Sequence, residues 1–192
     1  NLVDEGRLAL TFPNFSVTVE QPLPGRHNAY NALAAATAAW AAGADAHAIA
    51  SGLAAMQPVA GRLHALAGPV GSQIIDDSYN ANPASLRAAL ETHTPTWLVL
   101  GDMAELGEAA VAAHVEAGEL ARSLGVARVY ALGELSAHAA NAFGREGRVF
   151  ADHQALVEQL RADLHPEVRV LVKGSRSAHM DKVVAALAAT QS

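Results

Sequence analysis

The chain has 192 residues, of which 51% are hydrophobic and 17% charged, and it carries a net charge of -6 with no cysteine. That apolar content suits a folded chain with one full domain core and a smaller piece of another, and it argues against disorder. Lack of cysteine excludes disulfides, thiolate zinc sites and a cysteine nucleophile. The acidic balance, with no basic stripe, makes nucleic acid an unexpected partner.

In chain order, Arg7–Pro13 and Phe15–Val19 read as two short strands around a Pro-Asn turn, followed by a Pro/Gly connector over Gln21–Gly25. A helix is predicted from about Asn28 to Ala42, stopped by Gly43, and a second from Ala46 to Ala55 with Asp45 as its N-cap. No run approaches the ~18–20 apolar residues of a membrane span. The first residues have neither a basic nor an apolar signal-peptide region. A cytoplasmic location is therefore the expectation, and a monomer is expected besides.

Past Gly61 the pattern changes. Apolar runs at 73–76, 97–101, 128–132, 149–151 and 168–172 alternate with helical segments at 83–92, 108–124, 136–143, 153–163 and 178–189. Such alternation predicts an α/β, Rossmann-like layer fold with a mostly parallel sheet, whose ligands bind at the carboxyl ends of the strands. The domain boundary is expected near residues 58–63.

Four segments place polar residues where a strand or connector meets a helix. In the first, Asn28 and Asn31 share one helix face, and their amides match the donor and acceptor of an adenine edge; the alternative is that Asn28 caps the helix. In the second, Arg62 follows Gly61 at the expected joint, where a guanidinium can reach a terminal phosphate or simply sit on the surface. The third is Ile74-Ile75-Asp76-Asp77-Ser78-Tyr79-Asn80-Ala81-Asn82-Pro83. A carboxylate at such a strand end can accept from ribose hydroxyls, whereas magnesium or acid–base work ranks lower because adjacent strand residues face opposite sides. A polar turn with Ser78 or Asn82 as cap is the plain alternative. In the fourth, Lys173-Gly174-Ser175-Arg176 offers cations and a small residue to a carboxylate or phosphate. Asp102 and Glu105, in Gly101–Gly107, are weaker members of the set. No Walker A loop occurs. Among the nine histidines no metal-ligand spacing is found, so most are expected on the surface and no metal ligand is assigned.

Taken together, G-R-H-N-x-x-N, P-V-x-G-R-L, D-D-S-Y-N-A-N-P, L-G-D-M-A-E-L-G and V-K-G-S-R resemble, in order and spacing, the successive signatures of the Mur ligases. The Asp-Asp-Ser-Tyr-Asn-Ala-Asn-Pro and Lys-Gly-Ser-Arg forms resemble the D-alanyl-D-alanine-adding, MurF type. The resemblance implies that residues 1–60 are the tail of a central ATPase domain and 61–192 a C-terminal Rossmann-like domain. It implies an ATP-dependent carbon–nitrogen ligase of peptidoglycan synthesis that joins D-Ala-D-Ala to UDP-MurNAc-tripeptide through an acyl phosphate. The P-loop, the magnesium ligands and a carbamylated lysine are expected upstream, so the 192 residues alone should be inactive. By resemblance, Asn28 and Asn31 hold adenine, with His27 in the same motif; Arg62 contacts the γ-phosphate as the catalytic residue; and Asp77 binds ribose. Tyr79, Asn80 and Asn82 line the acceptor side, and Lys173, Ser175 and Arg176, with Asp102 and Glu105, meet the dipeptide or the closing interface. A related ligase of the folylpolyglutamate type, or a non-catalytic nucleotide- or peptide-binding module, are the alternatives.

Overall fold

The structure is a computed structural model that describes residues 2–4, 7–20, 26–56, 59–94 and 96–188. The chain divides into two compact units, Asn1–Pro58 and Val59–Ser192.

In the first unit, β1 (Leu2–Asp4), β2 (Arg7–Thr11) and β3 (Ser16–Glu20) form an antiparallel sheet in that order. Leu8 and Leu10 are buried and alternate with less buried neighbours, so one sheet face is apolar. Against it lie α1 (Arg26–Ala41) and α2 (Ala46–Ala54), which contribute Ala32, Ala36, Ile49 and Leu53 to a core closed by Phe12 and Val19. Phe12 stacks on Trp40 at 5.7 Å, and the Trp40 indole donates to Asn14 Oδ1 at 3.1 Å, pinning the hairpin turn. Asp45 caps α2 as expected, its carboxylate accepting from the Ala48 N–H at 2.8 Å. The strand β1 was not foreseen, since three residues carry no readable alternation. The predicted connector 21–25 lies outside the described residues.

The second unit holds a six-stranded sheet. Its strands are β4 (His64–Ala67), β5 (Gln73–Asp77), β6 (Trp97–Gly101), β7 (Arg128–Leu132), β8 (Gly147–Phe150) and β9 (Arg169–Lys173), in the order β4-β5-β9-β6-β7-β8. All neighbours are parallel except β4, which pairs antiparallel with β5 at the edge. Strand β6 is apolar and buried at every position because helices cover both faces; Leu98, Val99 and Leu100 are fully buried. Each such side chain contributes about 1.5–3 kcal/mol on leaving water. Alternate residues serve opposite faces. Ile75, Leu98, Leu100 and Leu171 pack with α3 (Pro83–His93), α4 (Ala110–Ser123) and α5 (Ser136–Phe143). Ile74, Val99, Val170 and Val172 pack with α6 (His153–Asp163) and α7 (Asp181–Ala188).

Differences from the predicted elements have local causes. The edge strand β4, His-Ala-Leu-Ala, carries no β-branched residue and gains its strand conformation from pairing with β5. A 3-10 turn at Gly107–Ala109 precedes α4, which therefore starts at Ala110. Another at Arg176–Ala178, followed by a left-handed His179, delays α7 to Asp181. Its predicted end at Ala189 lies outside the described residues. At the other edge Tyr130 is wholly buried, and its hydroxyl donates to Asp163 Oδ2 at 2.8 Å. Burial pushes this hydroxyl up to about 12, Asp163 acting in the same sense and Arg128 against it. Arg128 and Arg148 both pair with Asp163, so one carboxylate ties β7, β8 and α6 together.

Chain direction across the sheet reverses around β9. The helices after β5 and β6 lie on one face, and those flanking β9 lie on the other. Loops leaving the carboxyl ends of β5, β9 and β6 therefore part to opposite sides and leave a crevice at the switch point.

Candidate functional site

Two adjacent carboxylates end β5. Successive strand residues face opposite sides, so Asp76 and Asp77 do different things. Asp76 is buried and accepts from the Gly61 N–H at 2.9 Å, the Ser78 hydroxyl at 2.6 Å and the Ser78 N–H at 3.2 Å. Three donors satisfy the charge without a cation. Asp77 Oδ2 instead accepts from Lys173 Nζ at 2.5 Å, directly across the β5–β9 pair, and its Oδ1 from the Leu63 N–H at 3.3 Å. Lys173 is 2% exposed, and its ammonium also donates to the Asn80 carbonyl at 2.9 Å. Burial pushes this lysine below the ordinary range, the nearby Asp77 charge opposing and Arg62 adding to the fall.

These bonds fix two segments over the strand tip. Residues 60–63 hang from Asp76 and Asp77, and the 78–82 loop hangs from Lys173. They are joined by the Tyr79 N–H donating to the Gly61 carbonyl at 3.0 Å. Gly61 is at φ +79, and a Cβ there would stand 3.1 Å from the Tyr79 nitrogen, so the tight approach needs glycine. The approach sets the Arg62 guanidinium over the Tyr79 ring, 4.4 Å from its centre. Arg176, from the loop after β9, reaches the same ring at 5.2 Å. An open pocket of about 220 Å³ lies here, with Gly61, Asp76, Ser78, Tyr79, Arg176 and Asp181 in its walls.

Asn80 Oδ1 accepts from the Ala81 N–H, and Asn82 caps α3 in a reciprocal capping box with Ser85. Of the two caps considered in the sequence, Asn82 is the one used. At the β6 tip, Asp102 Oδ1 accepts from the Ser136 N–H at 2.7 Å, and its carbonyl accepts from the Ser175 N–H at 2.8 Å. Asp102 thereby links the β6, α5 and β9 loops. Ser175 is buried with its hydroxyl 3.1 Å from that of Ser177, whereas Glu105 is exposed in a left-handed conformation at φ +62. A Cβ on Gly101 would come within 2.8 Å of Ala178 and Met180, so the turn bearing Arg176 packs directly on the β6 backbone.

The structure thus gathers Arg62, Asp77, Tyr79, Asn80, Lys173 and Arg176 at the tips of β5 and β9. It sets Asp102 and Ser175 in a second junction at β6, and it leaves Glu105 pointing to solvent. In the first unit α1 begins at Arg26, two residues before the predicted start, so Asn28 lies inside the helix and does not cap it. Asn31 Nδ2 donates to Asn28 Oδ1 at 3.5 Å on the shared face. The side chain of His27 lies outside the described residues.

Two organising residues were missed. Asp76 was passed over for its neighbour. His114, expected at the surface with most of the histidines, is fully buried; its Nε2 accepts from the Met103 N–H at 3.0 Å and its Nδ1 donates to the Ala110 carbonyl at 2.7 Å. That fixes the proton on Nδ1 and anchors the loop after β6. The signal was present in the spacing: His114, Ala117, Gly118 and Ala121 follow the i, i+3, i+4, i+7 rule of a buried stripe.

With this geometry in hand, comparison with known proteins is decisive. The family model described as Mur ligase, glutamate ligase domain matches residues 61–176, more than half of the chain. The chain belongs to the Mur ligase family. It is 45% identical over 184 residues to the UDP-N-acetylmuramoyl-tripeptide--D-alanyl-D-alanine ligase of Escherichia coli K12, covering 93% of this chain and 40% of that protein. The ligase of the same name from Mycobacterium bovis is 39% identical over 86% of this chain and 38% of its own length. Among solved structures, MurF from Acinetobacter baumannii superposes with a TM-score of 0.83 at 29% identity, over 96% of this chain and 42% of that one. The chain therefore spans about 40% of the length of the relatives it matches. The six-stranded sheet with its helices is the α/β fold of these Mur ligase structures, as expected. No helix among the described residues is long and apolar enough to cross a membrane.

Proposed function

We propose that this chain is part of an ATP-dependent ligase that joins D-Ala-D-Ala to UDP-MurNAc-tripeptide through an acyl phosphate, acting in the cytoplasm as a monomer. In this reading residues 1–60 belong to the central ATPase domain and 61–192 form the C-terminal domain. The observation that carries it is the 45% identity, across nearly the whole chain, with a ligase of that name.

The strand-tip chemistry fits the roles. Asn28 and Asn31, with His27, take the adenine. Arg62 is exposed and forms no ion pair among the described residues, so its charge is available to a terminal phosphate. Asp77, a carboxylate at the carboxyl tip of β5, accepts from ribose hydroxyls. Tyr79, Asn80 and Asn82, with Arg176, line the acceptor side, and Asp102 and Ser175 border it from the β6 junction. Lys173 serves them from below, since its ammonium is occupied. ATP supplies the phosphoryl group that activates the carboxylate, and magnesium is held by residues outside this chain. The chain's own groups then orient the reactants and stabilise developing charge, which is most of what such catalysis needs.

The test is acceptor choice. In the full-length ligase with ATP and UDP-MurNAc-tripeptide, D-Ala-D-Ala should release ADP with a kcat/KM at least about 100-fold above that for D-Ala or L-Glu, because a site built to bond both ends of a dipeptide leaves polar groups unpaired with a shorter acceptor. Equal rates with a single amino acid would overturn the reading.

A further inference from the structure

Two guanidinium groups converge on one ring. Those of Arg62 and Arg176 stand 4.4 and 5.2 Å from the centre of Tyr79, so less than about 10 Å separates them. Both arginines are exposed, and neither forms an ion pair among the described residues. Like charges held this close repel unless something neutralises them. The carboxylates nearby do not. Asp76 is buried and satisfied by Gly61 and Ser78, Asp77 is paired with Lys173, and Asp181 lines the pocket without pairing to either arginine. His179 also lines this pocket.

Both cations are placed by the backbone. Arg62 follows the Gly61 turn locked to Tyr79 and Asp76, and Arg176 opens the turn packed on Gly101. Two unneutralised cations suit a ligand with two or more negative charges, whereas a single carboxylate is satisfied by one bidentate arginine.

We propose that Arg62, Tyr79 and Arg176 form one cradle for a multiply charged phosphate group, in which both arginines bind the anion and Tyr79 is the positioning residue that holds them together. This extends the acceptor-side reading of Arg176 to phosphate. It rests on the functional reading above only for the source of the phosphate, since the cradle itself needs no nucleoside.

The test therefore uses inorganic tripolyphosphate with the 192-residue chain at constant ionic strength, followed by NMR of the arginine Nε–H groups. Both Arg62 and Arg176 signals should move and saturate together. Arg62→Gln and Arg176→Gln should each weaken binding by about tenfold or more, as expected for a lost charge-assisted contact. Arg87→Gln, which alters an exposed arginine on α3 paired with Glu91, should leave it within about twofold. Tyr79→Phe keeps the ring and should bind like the parent, while Tyr79→Leu should lose about threefold or more. D-Ala-D-Ala should leave the Arg62 signal in place. The parent backbone spectrum, retained in each variant, shows that folding is intact. An Arg176→Gln chain that binds tripolyphosphate normally, an equal loss in Arg87→Gln, or an Arg62 response to D-Ala-D-Ala in place of phosphate would each overturn the cradle. The functional reading would survive any of these, and failure of the acceptor test would leave the cradle standing.

Discussion

Replacing Lys173 with Met should lower the unfolding free energy of the second unit by about 3–5 kcal/mol, read from urea melts. The side chains of Lys173 and Asp77 are 2% and 13% exposed, so solvent screens little of their interaction. Methionine fills much of the lysine volume, which keeps the loss electrostatic. It leaves the Asp77 carboxylate without its cation and the Asn80 carbonyl without its donor. Changing both partners, Lys173→Met with Asp77→Leu, should be milder than Lys173→Met alone, because no buried charge is then stranded. A double variant as unstable as the sum of the singles would mean that the pair is not coupled. The pH dependence follows from the lysine. Burial holds its folded pKa below the ordinary 10.5, with Asp77 opposing. Between the two values the unfolded chain binds more protons, so the parent gains stability as pH rises toward 10.5, and the Met variant lacks that gain.

Removing Arg62 should strike catalysis instead. In the full-length ligase, Arg62→Gln is expected to lower kcat by about 10²–10³ while the KM for D-Ala-D-Ala changes little, since a charge that meets phosphate in the transition state contributes there and not to acceptor binding. Arg62→Lys should not rescue, because an ammonium lacks the planar fork and the stacking on Tyr79. Its exposure means stability should stay within about 0.5 kcal/mol. A kcat within threefold of the parent would remove Arg62 from the chemistry.

How far the sequence could be read depended on whether a residue's partner was near in sequence or remote. Consecutive apolar runs at β6, β7 and β9 announced a covered parallel sheet, and Asp45 announced its helix. The delayed start of α7 was hidden, because it follows from Met180 and Ala178 packing on Gly101, some eighty positions away. The Asp-Asp pair marked the strand tip, yet which carboxylate takes a cation is set by the β5–β9 register, which places Lys173 beside Asp77. For the same reason Lys173 looked like a ligand for an acceptor, whereas its ammonium lies beneath the loop and holds it. The convergence of Arg62 and Arg176 on Tyr79 joins three loops and left no pattern in the sequence.

A structure of the full-length ligase with a non-hydrolysable ATP analogue bears most directly on these strand tips. The ribose should rest against the Asp77 carboxylate and the terminal phosphate within hydrogen-bonding reach of Arg62. A nucleotide bound with both groups away from residues 61–63 and 76–80 would contradict the assignment.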